Sequence, residues 1–285
     1  QNIYTIQQEN PEAVLVLSGD HVYSADYRGL LRFFAETGAE ALIMTRTIPV
    51  AEASRFGVIG VDGERRIVEF EEKPKKPAAA PWDAGKSLIS MGVYLFRTPV
   101  LIKALLKDAR NPKSSHDFGR DVVPALIGTR RVFAYTFDSY WEDIGTIDAY
   151  WEANMAFLAP SPPALLEDPS WPIRTYKPQY PPTFVSGGDL RSSIVGAGCS
   201  LRDCRVVHSI LGPGVRVEPG AEIADSILFG DALVRRGARL RRVIIDKGAA
   251  VPEGFEVGAD ADRDARSFKI SRAGVRVVPK GWAAE

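Results

Sequence analysis

Four consecutive apolar residues, Val14-Leu15-Val16-Leu17, end at Ser18-Gly19 and deliver Asp20. A short unbroken apolar run reads as a strand buried on both faces, as in a mostly parallel sheet. Ligands of such open sheets bind beyond the carboxyl ends of the strands, where Asp20 falls. Gly19-Asp20 would equally serve as a plain turn after a core strand. From Tyr27 the spacing becomes helical, with Leu30, Leu31, Phe33 and Phe34 on the apolar face. Asp26 stands at the N-cap position and Gly38 supplies the stop. Ala41 to Thr47 returns as a strand, completing a strand–helix–strand unit with a right-handed crossover. Phe56 to Phe70 carries two β-rich arms around Asp62-Gly63, a hairpin pattern. Further strands are expected at Leu88 to Phe96 and Val132 to Phe137. Helices are expected at Pro99 to Asp108, with proline in its first turn, at Val122 to Ile127, and at Ile147 to Leu158. The apolar face of the last includes Tyr150, Trp151, Met155 and Phe157.

The pattern changes abruptly at Pro160. From there to Pro182 prolines recur too often for a helix or a central strand. Trp171, Ile173, Tyr176 and Tyr180 need surfaces to pack on, which points to an ordered connector. Beyond it the apolar positions recur every six residues: Val195, Leu201, Val207; Leu211, Val217, Ile223; Leu228, Val234, Leu240; Ile245, Val251, Val257. Glycines such as Gly196, Gly212, Gly220, Gly237, Gly248 and Gly254 fall at the joints. A hexapeptide period with three short strands per coil is the pattern of a parallel β-helix, each coil turning one apolar side chain per face inward. An antiparallel sandwich would not hold the six-residue register through four coils.

The chain has 285 residues, with 36 Lys plus Arg against 36 Asp plus Glu, so its formal net charge is zero. Nothing here suggests a general nucleic-acid or membrane surface. No apolar run approaches the roughly 20 residues of a membrane helix. The two cysteines, Cys199 and Cys204, belong to no ligand pattern and read as free thiols of a reducing cytoplasm. The first residues are polar and helical in pattern, without Met, cap or preceding strand, so an upstream segment is expected to be missing.

Asp143, in Tyr140-Trp141-Glu142-Asp143, is a second carboxylate at a strand end. Two carboxylates at neighbouring strand ends form a natural Mg²⁺ site, since hard oxygen ligands suit that ion. Asp143 would equally cap the helix that follows. Glu72-Lys73-Pro74 places a carboxylate and an ammonium at the mouth of a strand, suited to sugar hydroxyls and a phosphate; an exposed ion pair near a turn is the plainer alternative. His21, His116 and His208 show no metal-ligand spacing and fit hydrogen-bonded structural roles. No GxSxG, Cys/His or Walker pattern supports nucleophilic catalysis.

The segments SGDHVY, FGVIGVDGERRIVEFEEKP, SMGVYLF, SSHDFGRD, YWEDIGTIDAYWEAN, WPIRTY and LRRVIIDKGAAVPEGFEVG resemble, in order, those of the glucose-1-phosphate adenylyltransferases. The resemblance covers nearly the whole chain. It implies an α/β fold: an incomplete Rossmann-like nucleotidyltransferase domain with a mostly parallel mixed sheet, over 1–159. A connector (160–185) and a left-handed parallel β-helix (186–285) would follow. It implies a cytoplasmic, Mg²⁺-dependent reaction of ATP with α-D-glucose 1-phosphate, giving ADP-glucose and diphosphate for glycogen or starch synthesis. Asp20 and Asp143 match the family's metal-binding, catalytic aspartates; Glu72, Lys73, Ser90 and Gly57 match its glucose 1-phosphate site. Intact members are usually homotetramers under metabolite control. Two departures stand out. The family's glycine-rich GGxGxRLxPLT loop, which cradles the ATP phosphates, does not occur in these residues, and Ser24-Ala25 replaces a common Lys-Met. The chain alone is therefore expected to be inactive. A non-catalytic sugar-phosphate-binding or assembly subunit, and a related transferase using UTP, dTTP or GTP, remain open alternatives.

Overall fold

The computed structural model describes residues 2–163, 172–175 and 178–282. The chain gathers into two compact units, one of residues 1–19 and 24–139, the other of residues 20–23 and 140–285.

The first unit is built on a mixed sheet. Helix α1 (Ile3–Glu9) precedes strand β1 (Ala13–Val16); β2 (His21–Tyr23) belongs to the other unit; α2 spans Tyr27–Thr37. As the sequence implies, Asp26 caps α2 by accepting the Arg28 N–H, and Gly38 closes it in the left-handed conformation. Arg28 also holds the Asp26 carboxyl down to about 2 by side-chain hydrogen bonding. Then follow β3 (Ala41–Pro49), the hairpin β4 (Gly57–Val61) and β5 (Ile67–Glu72), β6 (Lys86–Arg97), α3 (Thr98–Ala109), a π-helical turn at Phe118–Val122 running into α4 (Val123–Leu126), and β7 (Val132–Thr136). Sheet order is β5-β4-β6-β3-β7, with β1 also on β6. Four of these six strands point one way, although β3–β7 is the one parallel-paired couple among them. A core of Ile43, Ile59, Leu88, Tyr94, Phe96, Leu101 and Val123 fills the face beneath α3 and α4.

Three expectations need correcting. β1 is half-exposed along its length rather than buried on both faces, because β6 is its one strand partner among the described residues. The strand–helix–strand unit is split: β6 lies between β1 and β3, with Tyr94 registered against both Val16 and Ile43. The hairpin turn is longer than Asp62-Gly63 and takes its left-handed residue at Arg65, φ 65°. Asp62 Oδ1 braces it by accepting the N–H groups of Glu64 and Arg66.

The second unit is a parallel β-solenoid carrying a helix and a ribbon. The ribbon pairs β2 with β8 (Trp141–Asp143), and α5 spans Ile147–Ala156. In the solenoid Val195, Leu211, Leu228 and Ile245 stack in register on one face, and Leu201, Val217, Val234 and Val251 on the next. On the third face the inward residue of the first coil is Val206, not Val207: Val206 is 1% exposed and registers with Ile223. That coil is one residue shorter than the next two, so the six-residue step slips there. Both cysteines are free and buried in this core, and burial raises both thiols. Gly212 is required by close approach, since a β-carbon would lie 2.8 Å from the backbone nitrogen of Gly230.

Of the connector's aromatic and aliphatic anchors, Trp171 and Tyr176 lie outside the described residues. Tyr180 packs against the Gly198 corner and donates its hydroxyl to Asp231, 3.2 Å. Ile173 is 56% exposed, so it does not find the surface expected of it. No helix among the described residues is long and apolar enough to cross a membrane.

Candidate functional site

Asp20 and Asp143 meet through the ribbon rather than at neighbouring ends of the main sheet. Asp20 immediately precedes β2, Asp143 ends β8, and the antiparallel register sets His21 opposite Asp143. Two backbone hydrogen bonds fix the ends: Ile144 N–H donates to the Asp20 carbonyl (3.0 Å), and Gly145 N–H to Asp143 Oδ1 (2.8 Å). Gly145 also keeps the space open, because a β-carbon there would lie 3.0 Å from Asp143 Oδ1 and 3.7 Å from Asp20 Oδ2. Asp143 does not cap α5; Thr146 does, accepting the Ala149 N–H at 3.1 Å.

Asp20, His21 and Asp143 each present one ligand atom, all within 4.8 Å of one another. His21 is the member sequence spacing missed. Its Nε2 stands 3.6 Å from Asp20 Oδ1, its ring meets Trp141 edge-on, and its Nδ1 is buried without a hydrogen-bond partner. The two carboxylates suit a hard divalent cation such as Mg²⁺, and an adjacent imidazole is compatible with Mn²⁺ as well.

Glu72, Lys73, Gly57 and Ser90 lie in the sheet unit. Gly57 pairs with Glu72 across the β4–β5 hairpin. The Glu72 carboxylate is wedged between two glycines: a β-carbon on Gly57 would fall 2.9 Å from its Oε2, and one on Gly119 only 2.7 Å from it. Burial pushes the Glu72 carboxyl up, opposed by Lys73 and Arg120 and reinforced by Asp117. Lys73 Nζ is 3.8 Å from Glu72 Oε1, and the Lys73 backbone is left-handed, φ 51°. The Lys73 N–H donates to the Phe56 carbonyl, 3.1 Å, which anchors the turn.

Ser90 lies just before a bulge in β6. Between the Ile43–Tyr94 and Thr45–Ser90 pairs, β6 uses two more residues than β3, and Gly92 turns through φ 67°. Ser90 Oγ accepts the Gly92 N–H (3.2 Å) and shares a hydrogen bond with Tyr94. Burial raises the Tyr94 phenol, with the charges of Glu72 and Asp117 adding to the shift; its ring stacks on Phe118, centroids 5.7 Å apart. The sheet unit thus assembles a carboxylate, an ammonium, a serine hydroxyl and a phenol around one spot. Tyr94, Asp117 and Gly119 are members that sequence reasoning did not single out. Tyr94 carries no local signal, and Asp117 and Gly119 both lie in the SSHDFGRD segment without a spacing that marks a site.

The nucleotidyl transferase family model matches residues 1–159, and a GlmU-like C-terminal hexapeptide model matches residues 182–278. Among curated proteins, the chain is 44% identical to a glucose-1-phosphate adenylyltransferase of Shewanella sp. strain ANA-3 over 98% of its own length and 70% of that protein. Similar values hold for the enzyme of that name from Shewanella sp. strain MR-4 (44%) and from Shewanella frigidimarina (43%), with the same coverage.

Proposed function

The chain belongs to the glucose-1-phosphate adenylyltransferases, a family of nucleotidyl transferases, and on that premise we propose that its reaction is Mg²⁺-dependent transfer of AMP from ATP to α-D-glucose 1-phosphate. An oxygen of the sugar phosphate attacks the α-phosphorus of ATP in line, the bond to the β-phosphate oxygen breaks, and diphosphate leaves. The product, ADP-glucose, is an activated glucosyl donor for storage-glucan synthesis. Catalysis of this type is positioning plus charge neutralisation, with no covalent protein intermediate.

The residues divide the work by their chemistry. Lys73, a compact point charge, neutralises the sugar phosphate, while Glu72 accepts hydrogen bonds from sugar hydroxyls. Ser90 and Tyr94 offer neutral donors beside it. Asp20 and Asp143 would hold the divalent cation, which supplies charge neutralisation at the phosphate oxygens when bound. The observation that carries this reading is the ribbon pairing, which sets two carboxylates distant in sequence within 4.8 Å of each other and of His21.

The test measures ADP-glucose formation from ATP, glucose 1-phosphate and Mg²⁺. These residues contain no GGxGxRL segment, so the chain by itself is expected to turn over no faster than an Asp20→Ala control. A version bearing such a loop ahead of Gln1 is expected to be active. In that version Asp143→Asn should lose most activity while melting normally, and Lys73→Ala should raise the glucose 1-phosphate requirement far more than the ATP requirement. Near-wild-type kinetics for Asp143→Asn at saturating Mg²⁺ would overturn the carboxylate assignment; equal shifts for both substrates would overturn that of Lys73.

A further inference from the structure

One corner of the solenoid turns through the left-handed region on side chains other than glycine at four successive levels. Ser192, His208, Asp225 and Arg242 have φ of 46°, 48°, 50° and 57°. The ladder bonds place them as equivalents: His208 N–H donates to Arg191 O, Asp225 N–H to Val207 O and Arg242 N–H to Ala224 O. The other two corners use mainly glycine, Gly198, Gly214 and Gly248 at one and Gly220, Gly237 and Gly254 at the other. Glycine takes this conformation without steric cost, so strained side chains kept at four levels of one corner argue for a use.

At two of these levels, Asp225 and Arg242, the corner grips α5. Trp151, 9% exposed, donates its indole N–H to the Asp225 carbonyl at 2.9 Å. The Arg242 guanidinium lies over the Trp151 ring, 4.1 Å from its centroid, and Arg242 Nε is buried without a hydrogen-bond partner. That guanidinium is placed for the ring face rather than for an acceptor. Tyr150 meets Phe229 edge-on at 6.0 Å, and Asp148 Oδ2 accepts the Ala273 N–H at 3.1 Å, so α5 is held along its first turns. Its cap, Thr146, is three residues past Asp143, and the intervening Ile144 and Gly145 bond to the Asp20 carbonyl and the Asp143 carboxylate.

We propose that Trp151 and Arg242 are positioning residues for the Asp20–Asp143 pair: the solenoid corner fixes α5, and α5 fixes the segment that carries Asp143. The proposal rests on the reading of that pair as ligands of a divalent cation. Outer residues that orient metal ligands typically change affinity by about 10- to 100-fold when removed.

The experiment titrates the full chain with Mn²⁺ alone, following the free-ion electron paramagnetic resonance signal, beside thermal melts. Wild type is expected to bind Mn²⁺ and Asp143→Asn to lose binding. Arg242→Gly relieves the backbone strain, so its melting temperature should not fall, yet its Mn²⁺ affinity should drop about tenfold or more. Arg242→Lys keeps a cation over the ring and should recover part of that affinity. Trp151→Phe, which keeps an aromatic face and loses the N–H, serves as the second probe should Arg242→Gly melt early, and should weaken Mn²⁺ in the same direction. Unchanged Mn²⁺ affinity in both Arg242→Gly and Trp151→Phe, with binding lost in Asp143→Asn, would sink the positioning role and leave the cation site standing. Equal binding by wild type and Asp143→Asn would remove the cation site, and the positioning role with it.

Discussion

The Glu72 carboxylate is held between Gly57 and Gly119, close enough that a β-carbon on either would collide with it. Burial raises its pKa above the ordinary glutamate value. A group whose folded pKa exceeds its unfolded one contributes most to stability at pH below the unfolded value, and that contribution is lost as pH rises through the folded value. As pH rises through that raised value the half-buried Glu72 therefore loses its favourable contribution to folding, and the sugar contact proposed for it would be a reason to retain it. Glu72→Gln is expected to melt at least as high as wild type at pH 7, with the advantage shrinking toward pH 4, while glucose 1-phosphate binding weakens. Melts across that range beside calorimetric titration check both halves; a lower melting temperature at pH 7 would count against the desolvation argument. Glu72 and Lys73 could be read in the sequence because they stand together before a proline. Tyr94 and Gly119 could not, because a bulge in β6 and the π-helical turn at Phe118–Val122 bring them to the carboxylate. A lone glycine before Arg120 looks like any loop glycine until the space it leaves is measured.

Among the elements, the solenoid was the most legible, because each of its faces repeats the same inward demand at a fixed step. The step failed once, at the short first coil, where Val206 replaces Val207 in the core. Val206→Ala is accordingly expected to cost about 2 kcal/mol, two lost methyl groups plus the cavity they leave, and Val207→Ala under about 1 kcal/mol. Denaturant unfolding of the two variants separates them, and equal costs would contradict the register. The ribbon was less legible. Its strands are three residues each, too short for an alternation to show, and their pairing joins positions on opposite sides of most of the sheet unit's sequence. Asp20 and Asp143 were recognisable as acids at strand ends, but the element that brings them together was not, nor was the inclusion of His21. Thr146 took the capping role open to Asp143, which leaves the Asp143 carboxylate to its own backbone partner at Gly145.

Across the whole chain, the change in composition and the change in packing partners fall at different places. Prolines begin to crowd at residue 160, a few residues past the end of α5, whereas the contacts divide at 139/140 and also assign residues 20–23 to the solenoid unit. The reason is the outer face of one solenoid sheet, where Ile210, Ile227, Ile244 and Val277 form an apolar stripe. Trp151, Met155, Ile147 and Tyr150 of α5 cover that stripe. An alternating inside–outside pattern would leave such positions polar, so their apolar character marks a covered surface. Each large side chain so buried contributes about 1.5–3 kcal/mol. A fragment of residues 140–285 should therefore melt well above, by about 10 °C or more, one of residues 182–285, since about 1 kcal/mol moves the midpoint by roughly 2–8 °C for domains of about 100 to 150 residues. The shorter fragment, its stripe uncovered, should also bind a hydrophobic dye that the longer one excludes. Equal melting temperatures and equal dye binding would show that the solenoid is complete without α5, and would take away the physical basis for assigning the carboxylate ribbon to it.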